Sequence, residues 1–233
     1  MPDVVPNLRD LGGVPAADGL TIRPARLLRS AAPWADDVAP PGILWPPTTV
    51  VDLRSAMETE HDHPIAGSGV SVVNIPLLAA LRPGARIAAT LSEMYGVVLD
   101  TAADRLVDVV RAVADSEGPA LVHCAAGKDR TGVAVALMLS LVGTPREAVV
   151  ADYLATELHL DAIHARLEAS PGAEHRVHLP AEFFTVPVAA ILAVLDVWDS
   201  HPHGVHGWFR DAGGGSDDLL RLRTHLLGDT MEA

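Results

Sequence analysis

One cysteine and one lysine, each the sole member of its kind in the chain, stand four residues apart. They belong to the stretch His123-Cys124-Ala125-Ala126-Gly127-Lys128-Asp129-Arg130-Thr131-Gly132. Cys124 and Arg130 bracket five intervening residues. A cysteine attacks as its thiolate, and a nearby cation and a helix N-terminus both favour that form. A planar guanidinium can hold two phosphate oxygens at once, which an ammonium group cannot do. It can also stabilise the charge that spreads over the equatorial oxygens during phosphoryl transfer. The chemistry these residues suggest is nucleophilic attack by sulfur on a phosphoryl group held by an arginine.

Such residues need elements to position them. The run 119–122 reads as a short buried strand. The apolar run 133–139 reads as a helix that stops at Gly143, with Pro145 just beyond. Residues 124–130 therefore form a loop between a strand and a helix N-terminus. In such a loop the N–H groups of Ala125, Ala126, Gly127, Lys128, Asp129 and Arg130 converge on one spot that suits a tetrahedral oxyanion. Gly127 permits an unusual backbone turn, and Thr131 adds a hydroxyl. A nucleotide-binding Walker loop fails on spacing. It needs glycine where Val122 stands and serine or threonine where Asp129 stands.

The pattern His-Cys-x-x-Gly-Lys-x-Arg-Thr-Gly resembles the phosphate loop of the cysteine-dependent tyrosine phosphatases. Its Lys128-Asp129-Arg130 version is similar to the atypical bacterial group of the secreted tyrosine phosphatase B type. Members of that group also act on phosphoinositides and on phosphoserine or phosphothreonine. Four further stretches carry the likeness: Asn7-Leu8-Arg9-Asp10-Leu11-Gly12-Gly13, Arg26-Leu27-Leu28-Arg29-Ser30, Val50-Val51-Asp52-Leu53-Arg54-Ser55 and Ala151-Asp152-Tyr153-Leu154. A looser one is Gly207-Trp208-Phe209-Arg210-Asp211. The resemblance implies Cys124 as nucleophile and Arg130 as phosphate clamp. It implies His123 and Thr131 as supports of the thiolate, and Lys128 as a second cation suited to a headgroup with several phosphates. The chain has Trp45-Pro46-Pro47 and lacks the Trp-Pro-Asp that carries the general acid in conventional members. The leaving oxygen still needs a proton. The resembled group offers two candidates, Asp129 in the loop and Asp52 at a strand end. Asp129 is preferred because the loop must carry it close to the phosphate. Asp52 suits a structural role, with Arg54 as a supporting residue.

Composition bounds the alternatives. A chain of 233 residues, 49% hydrophobic but only 4% aromatic, suits a single domain over 1–233 with a core of Ala, Val and Leu. A net charge of −13 argues against nucleic-acid binding and adhesion to anionic membranes. A phosphorylated protein or phosphoinositide substrate must then be drawn by a local positive pocket. The N-terminus lacks the basic start and apolar stretch of a signal peptide, and no apolar run reaches the length of a membrane span. A monomer in the cytoplasm is expected. The resembled group adds export without a classical signal as an alternative. No metal or cofactor is expected, because neither histidine group (His61 with His63; His201, His203 and His206) matches a zinc spacing. Both read as surface loops.

Along the chain, 1–20 is turn-rich. Strands are expected at 26–30, 48–53 and 70–75, a short helix at 36–44 and a helix or turn at 54–61. Residues 85–114 read as mostly helical, followed by helices at 145–153, 156–168 with Leu158, Ile163 and Leu167 inward, 187–200 and 217–227, with a loop at 171–180. Phe183 and Phe184 head the 187–200 helix, where they pack or form a lid over a lipid substrate. Strands alternating with helices imply an α/β fold, a short and mostly parallel sheet covered by helices on both sides. Two other functions share these residues. A non-catalytic phosphate- or phosphoinositide-binding module needs no thiolate, and a sulfurtransferase needs no leaving-group acid.

Overall fold

The structure is a computed structural model and describes residues 3–59, 63–67, 69–78, 88–170 and 180–228. Five short strands form one sheet: β1 (Arg9–Asp10), β2 (Leu27–Ser30), β3 (Thr49–Asp52), β4 (Ser71–Asn74) and β5 (Ala120–His123). Their spatial order is β1-β2-β5-β3-β4, and only β1 is antiparallel to its neighbour. Eight α-helices follow among the described residues: α1 (Leu91–Thr101), α2 (Ala103–Ala114), α3 (Asp129–Leu141), α4 (Arg146–Ala155), α5 (Leu160–Ala169), α6 (Val188–Ser200), α7 (Gly204–Asp211) and α8 (Ser216–Leu227). None of these is long and apolar enough to cross a membrane.

Register fixes where the chemistry sits. His123 of β5 lies beside Ser30 of β2 on one side and Asp52 of β3 on the other. Three parallel strands thus end level, and the segments that leave them meet at one edge. In open α/β sheets that carboxyl edge is where ligands bind.

Alternation along the strands divides the core. Leu27, Val51, Ala120 and Val122 pack with the helices in one large cluster. At its centre is α3, whose residues Val133–Leu139 are all buried. A helix apolar on every side is a core helix, and this one holds the loop end fixed. On the other sheet face, Leu28 and Leu121 pack against Val5 and Leu8, with Ala39, Ile43, Trp45 and Ile65 around them. These belong to loops, so helices cover one face and irregular chain covers this apolar patch of the other.

Several expected elements differ. Residues 36–44 make turns and a bridge between Val38 and Val4, with no helix. Pro40 and Pro41 remove two N–H donors and bias the residues before them away from helical angles. In the described part of 54–61, where helix and turn were both open, the chain forms a single turn at 56–58. There the Glu58 carboxylate takes bonds from the Ser55 N–H and hydroxyl, and reaches across to Arg130. The turn-rich N-terminus contains β1, and His206 lies in α7, not in a loop. Leu158 lies in a 3-10 turn and is 86% exposed, not inward. Most of the 171–180 loop, His61 and the first residues of the 85–114 stretch lie outside the described residues.

Candidate active site

The loop leaves β5 at Cys124 and enters α3 at Asp129. The first N–H groups of α3 have no partner within the helix, so they are available to an anion in the loop. Gly127 turns the chain with φ +65°, and a Cβ there would lie 2.0 Å from the Ser30 carbonyl oxygen. Left-handed backbone and that backbone clash exclude any side chain. Gly127→Ala is expected to lower unfolding free energy by about 2–3 kcal/mol, read as a lower urea midpoint.

The loop is clamped from behind by the sequence signatures. The Gly127 carbonyl accepts from Asn7 Nδ2 at 2.9 Å and from Arg29 Nη2 at 2.8 Å. Arg29 is fully buried and pairs with Asp152 of α4. Asp152 also takes Arg9 Nε at 2.9 Å, and Arg9 Nη2 donates to the Asp152 carbonyl at 2.7 Å. Burial, then repulsion from Arg29, pulls the Arg9 guanidinium down to about 10. Burial opposes ionisation of Asp152, yet the two arginines hold its carboxyl below the usual carboxylate range. The N-terminal signature, the second strand and the downstream helix thus meet behind one peptide of the loop.

In front, Arg130 is presented by Glu58. Nη1 and Nη2 each lie 2.7 Å from a Glu58 oxygen, and Nη1 also donates to the Leu53 carbonyl at 3.3 Å. Burial weakens the guanidinium charge, but the bonds to Glu58 and the charge of Cys124 outweigh it and raise the arginine pKa further. Arg130 is a permanent, oriented cation beside the buried thiol. Thr131 Oγ1 is buried with no hydrogen-bond partner among the described residues, which leaves a donor free next to the loop.

Asp52 is held by Arg54, whose Nε and Nη2 reach its carboxylate at 2.7–3.2 Å. Burial opposes its ionisation, but the Arg54 bonds and the charges around it win, so its pKa falls. A carboxylate so engaged by Arg54 suits the structural role expected of Asp52. Asp129 keeps 21% of its side chain exposed, with Oδ1 taking the Tyr95 hydroxyl at 2.7 Å and lying 3.0 Å from Lys128 Nζ. Lys128 is buried, and its ammonium donates to the Phe183 and Thr185 carbonyls at 3.1 and 2.8 Å. That places the expected second cation as a tie between the loop and the 183–185 segment. Phe183 packs against the core, whereas Phe184 is 48% exposed and meets His164 edge-on.

A sequence profile of the tyrosine phosphatase family matches residues 3–228. The chain belongs to the tyrosine phosphatase family. Among its relatives, a tyrosine-protein phosphatase of Cupriavidus necator is 34% identical over 97% of this chain and 87% of its own length. The triple specificity protein phosphatase PtpB of Mycobacterium tuberculosis is also 34% identical, over 47% of this chain and 44% of its own length. A tyrosine-protein phosphatase of Nostoc commune is 29% identical over 50% of this chain and 42% of its own. The matches to PtpB and to the Nostoc protein thus span less than half the length of each. By family the protein is a phosphatase.

Within this phosphatase His123, the residue before Cys124, has a partner the sequence did not disclose. The Cys124 carbonyl can only accept, so His123 Nδ1 (3.1 Å away) carries a proton and Nε2 accepts. His63 Nε2 lies 2.9 Å from His123 Nε2 and donates, and its Nδ1 takes the Ile65 N–H at 3.4 Å. His63 is therefore a half-buried neighbour of the site, not a plain surface residue. With Asp52 the two imidazoles place three ligand atoms within 4.8 Å of one another. Arg54 and the paired rings already complete their hydrogen bonds. Burial, first of all, pulls His123 down from 6.5 to about 4. The folded state holds it neutral while the unfolded chain protonates it. Its stabilising contribution is full above about pH 6.5 and lost as pH falls toward 4, about 3 kcal/mol in all. His123→Asn is expected to flatten urea midpoints between about pH 7 and 5. The flattening is partial, because His63, His159 and His225 are also lowered by burial.

Proposed function

We propose that this phosphatase hydrolyses phosphomonoesters through a cysteinyl-phosphate intermediate, with phosphotyrosine proteins as substrates and phosphoserine, phosphothreonine and phosphoinositides as further ones. The observation that carries the reading is the pairing of a buried thiol with a desolvated arginine, oriented by Glu58, across a loop clamped from behind. The Cys124 thiolate attacks phosphorus. The S–P bond forms as the P–O bond to the leaving group breaks, and that oxygen takes a proton from Asp129. Water then attacks phosphorus and gives its proton to Asp129 as the S–P bond breaks. Arg130 and the loop N–H groups hold the equatorial oxygens throughout. Thr131 donates toward the departing thiolate, and His123 fixes the peptide that carries it. The several classes of substrate are supported by the printed name of PtpB, a triple specificity phosphatase.

The test is phosphate release in excess chelator from a phosphotyrosine peptide, a phosphoserine peptide and a phosphoinositide, with rapid quenching to trap labelled enzyme. Metal-independent release with label on Cys124 is expected, and the order of rates gives the preference. No release from any of the three, with inorganic phosphate still bound, would make the protein a phosphate-binding module instead.

A further inference from the structure

Asp129 is held by one tyrosine backed by a second, and no loop motif contains either. Tyr95 comes from α1 and Tyr153 from α4, 58 residues apart, and both are buried to about 1% or less. Their rings meet edge to face with centroids 6.3 Å apart. The Tyr95 hydroxyl donates to Asp129 Oδ1 at 2.7 Å, and the two hydroxyls are 2.9 Å apart. Burial first, and then the Asp129 charge, pushes the Tyr95 phenol well above its ordinary range, and burial raises Tyr153 as well. Both phenols keep their protons. Tyr95 has one proton and gives it to Asp129, so the Tyr153 proton must point at the Tyr95 oxygen. The chain of donors therefore runs one way, from Tyr153 through Tyr95 to Asp129. Lys128 Nζ approaches the same carboxylate oxygen from the 183–185 side. Oδ1 is thus occupied twice over, and the other oxygen is the one left to exchange a proton. The Tyr153 ring also lies where a Cβ on Gly132 would come within 3.1 Å, so the glycine that follows Thr131 is what lets α4 bring the ring this close to α3.

We infer that Tyr95, backed by Tyr153, is a positioning residue that fixes the Asp129 carboxyl so that a single oxygen faces the leaving group. The inference rests on the reading of Asp129 as the general acid. A misplaced acid costs most where the leaving oxygen most needs a proton. An alkoxide or a phenoxide is hard to expel unprotonated, whereas a dinitrophenoxide leaves without help.

The test compares kcat/KM, which reads the steps up to leaving-group departure and not the later hydrolysis, for phenyl phosphate and 2,4-dinitrophenyl phosphate in wild type, Tyr95→Phe, Tyr153→Phe and Asp129→Asn. Removing the Tyr95 hydroxyl should lower kcat/KM for phenyl phosphate by about 10–100-fold while that for the dinitrophenyl ester stays within about twofold. Tyr153→Phe should shift the ratio the same way by less, and Asp129→Asn by more. Equal losses on both esters in Tyr95→Phe mark a merely structural tyrosine and overturn the inference. Unchanged rates there, with Asp129→Asn still selective, also overturn it. A flat response in Asp129→Asn removes the acid itself, and with it this role. Should Tyr95→Phe not fold, Tyr153→Phe decides by the same ratio: a selective loss sustains the inference and an unchanged ratio ends it.

Discussion

Cys124→Ser is expected to reduce phosphate release by at least ~10⁴-fold and to leave the loop able to bind phosphate. The serine hydroxyl is nearly isosteric with the thiol but does not ionise in the working range. Among the described residues the candidate bases are otherwise engaged. Asp52 is held by Arg54, His123 points its lone pair at His63, and Asp129 Oδ1 takes the Tyr95 hydroxyl. Binding rests on other groups, the N–H array and the Arg130–Glu58 pair, which the substitution does not touch. Removing a thiolate from beside a phosphate also removes a like-charge repulsion. Calorimetric titration with inorganic phosphate should therefore give affinity equal to wild type or tighter. Activity above about 1% of wild type in the variant would contradict the nucleophile assignment. A loss of activity together with phosphate binding would point to a collapsed loop.

The candidate loop was legible because it is contiguous. Cys124, Gly127 and Arg130 lie within one short loop, so their types and spacing already imply sulfur, a turn and a clamp. The flanking strand and helix followed from unbroken apolar runs. What escaped comes from far along the chain. Glu58 reaches Arg130 from 72 residues away, His63 meets His123 across 60, and Tyr95 meets Asp129 across 34. Nothing local marks these residues, since each is an ordinary polar or aromatic position until the sheet brings the strand ends level. The family signatures fall between the two cases. Asn7, Arg29 and Asp152 were visible as motif letters, but their shared purpose behind Gly127 exists only in three dimensions. The misread segment has a local cause: Pro40 and Pro41 oppose the helix expected at 36–44. At 54–61, where the sequence leaves helix and turn open, the carboxylate at the turn serves a distant arginine.

Asp152→Asn is expected to be the most destabilising conservative change behind the loop, about 3–5 kcal/mol. The side chain keeps its shape and loses its charge. Arg29, wholly buried, and Arg9, 18% exposed, then face each other without the anion between them. Burial already lowers the Arg9 pKa, so the site has little tolerance for a second uncompensated cation. A control separates buried charge from ion pairing in general. Arg146 pairs with Asp196 and Asp199 on the surface, where those carboxylates are 68% and 66% exposed. Asp199→Asn should cost no more than about 0.5 kcal/mol, because exposed pairs are screened and solvated. Urea unfolding at neutral pH reads both, and similar costs for the two variants would refute the buried-charge argument. The functional consequence follows from position. Arg29 holds the Gly127 carbonyl as well as Asp152, so a displaced guanidinium releases the loop from behind. Asp152→Asn protein that remains folded should lose kcat more than phosphate affinity. Binding tolerates a loosened cradle, whereas the proposed in-line attack by Cys124 requires the loop N–H groups and the sulfur held to a fraction of an ångström.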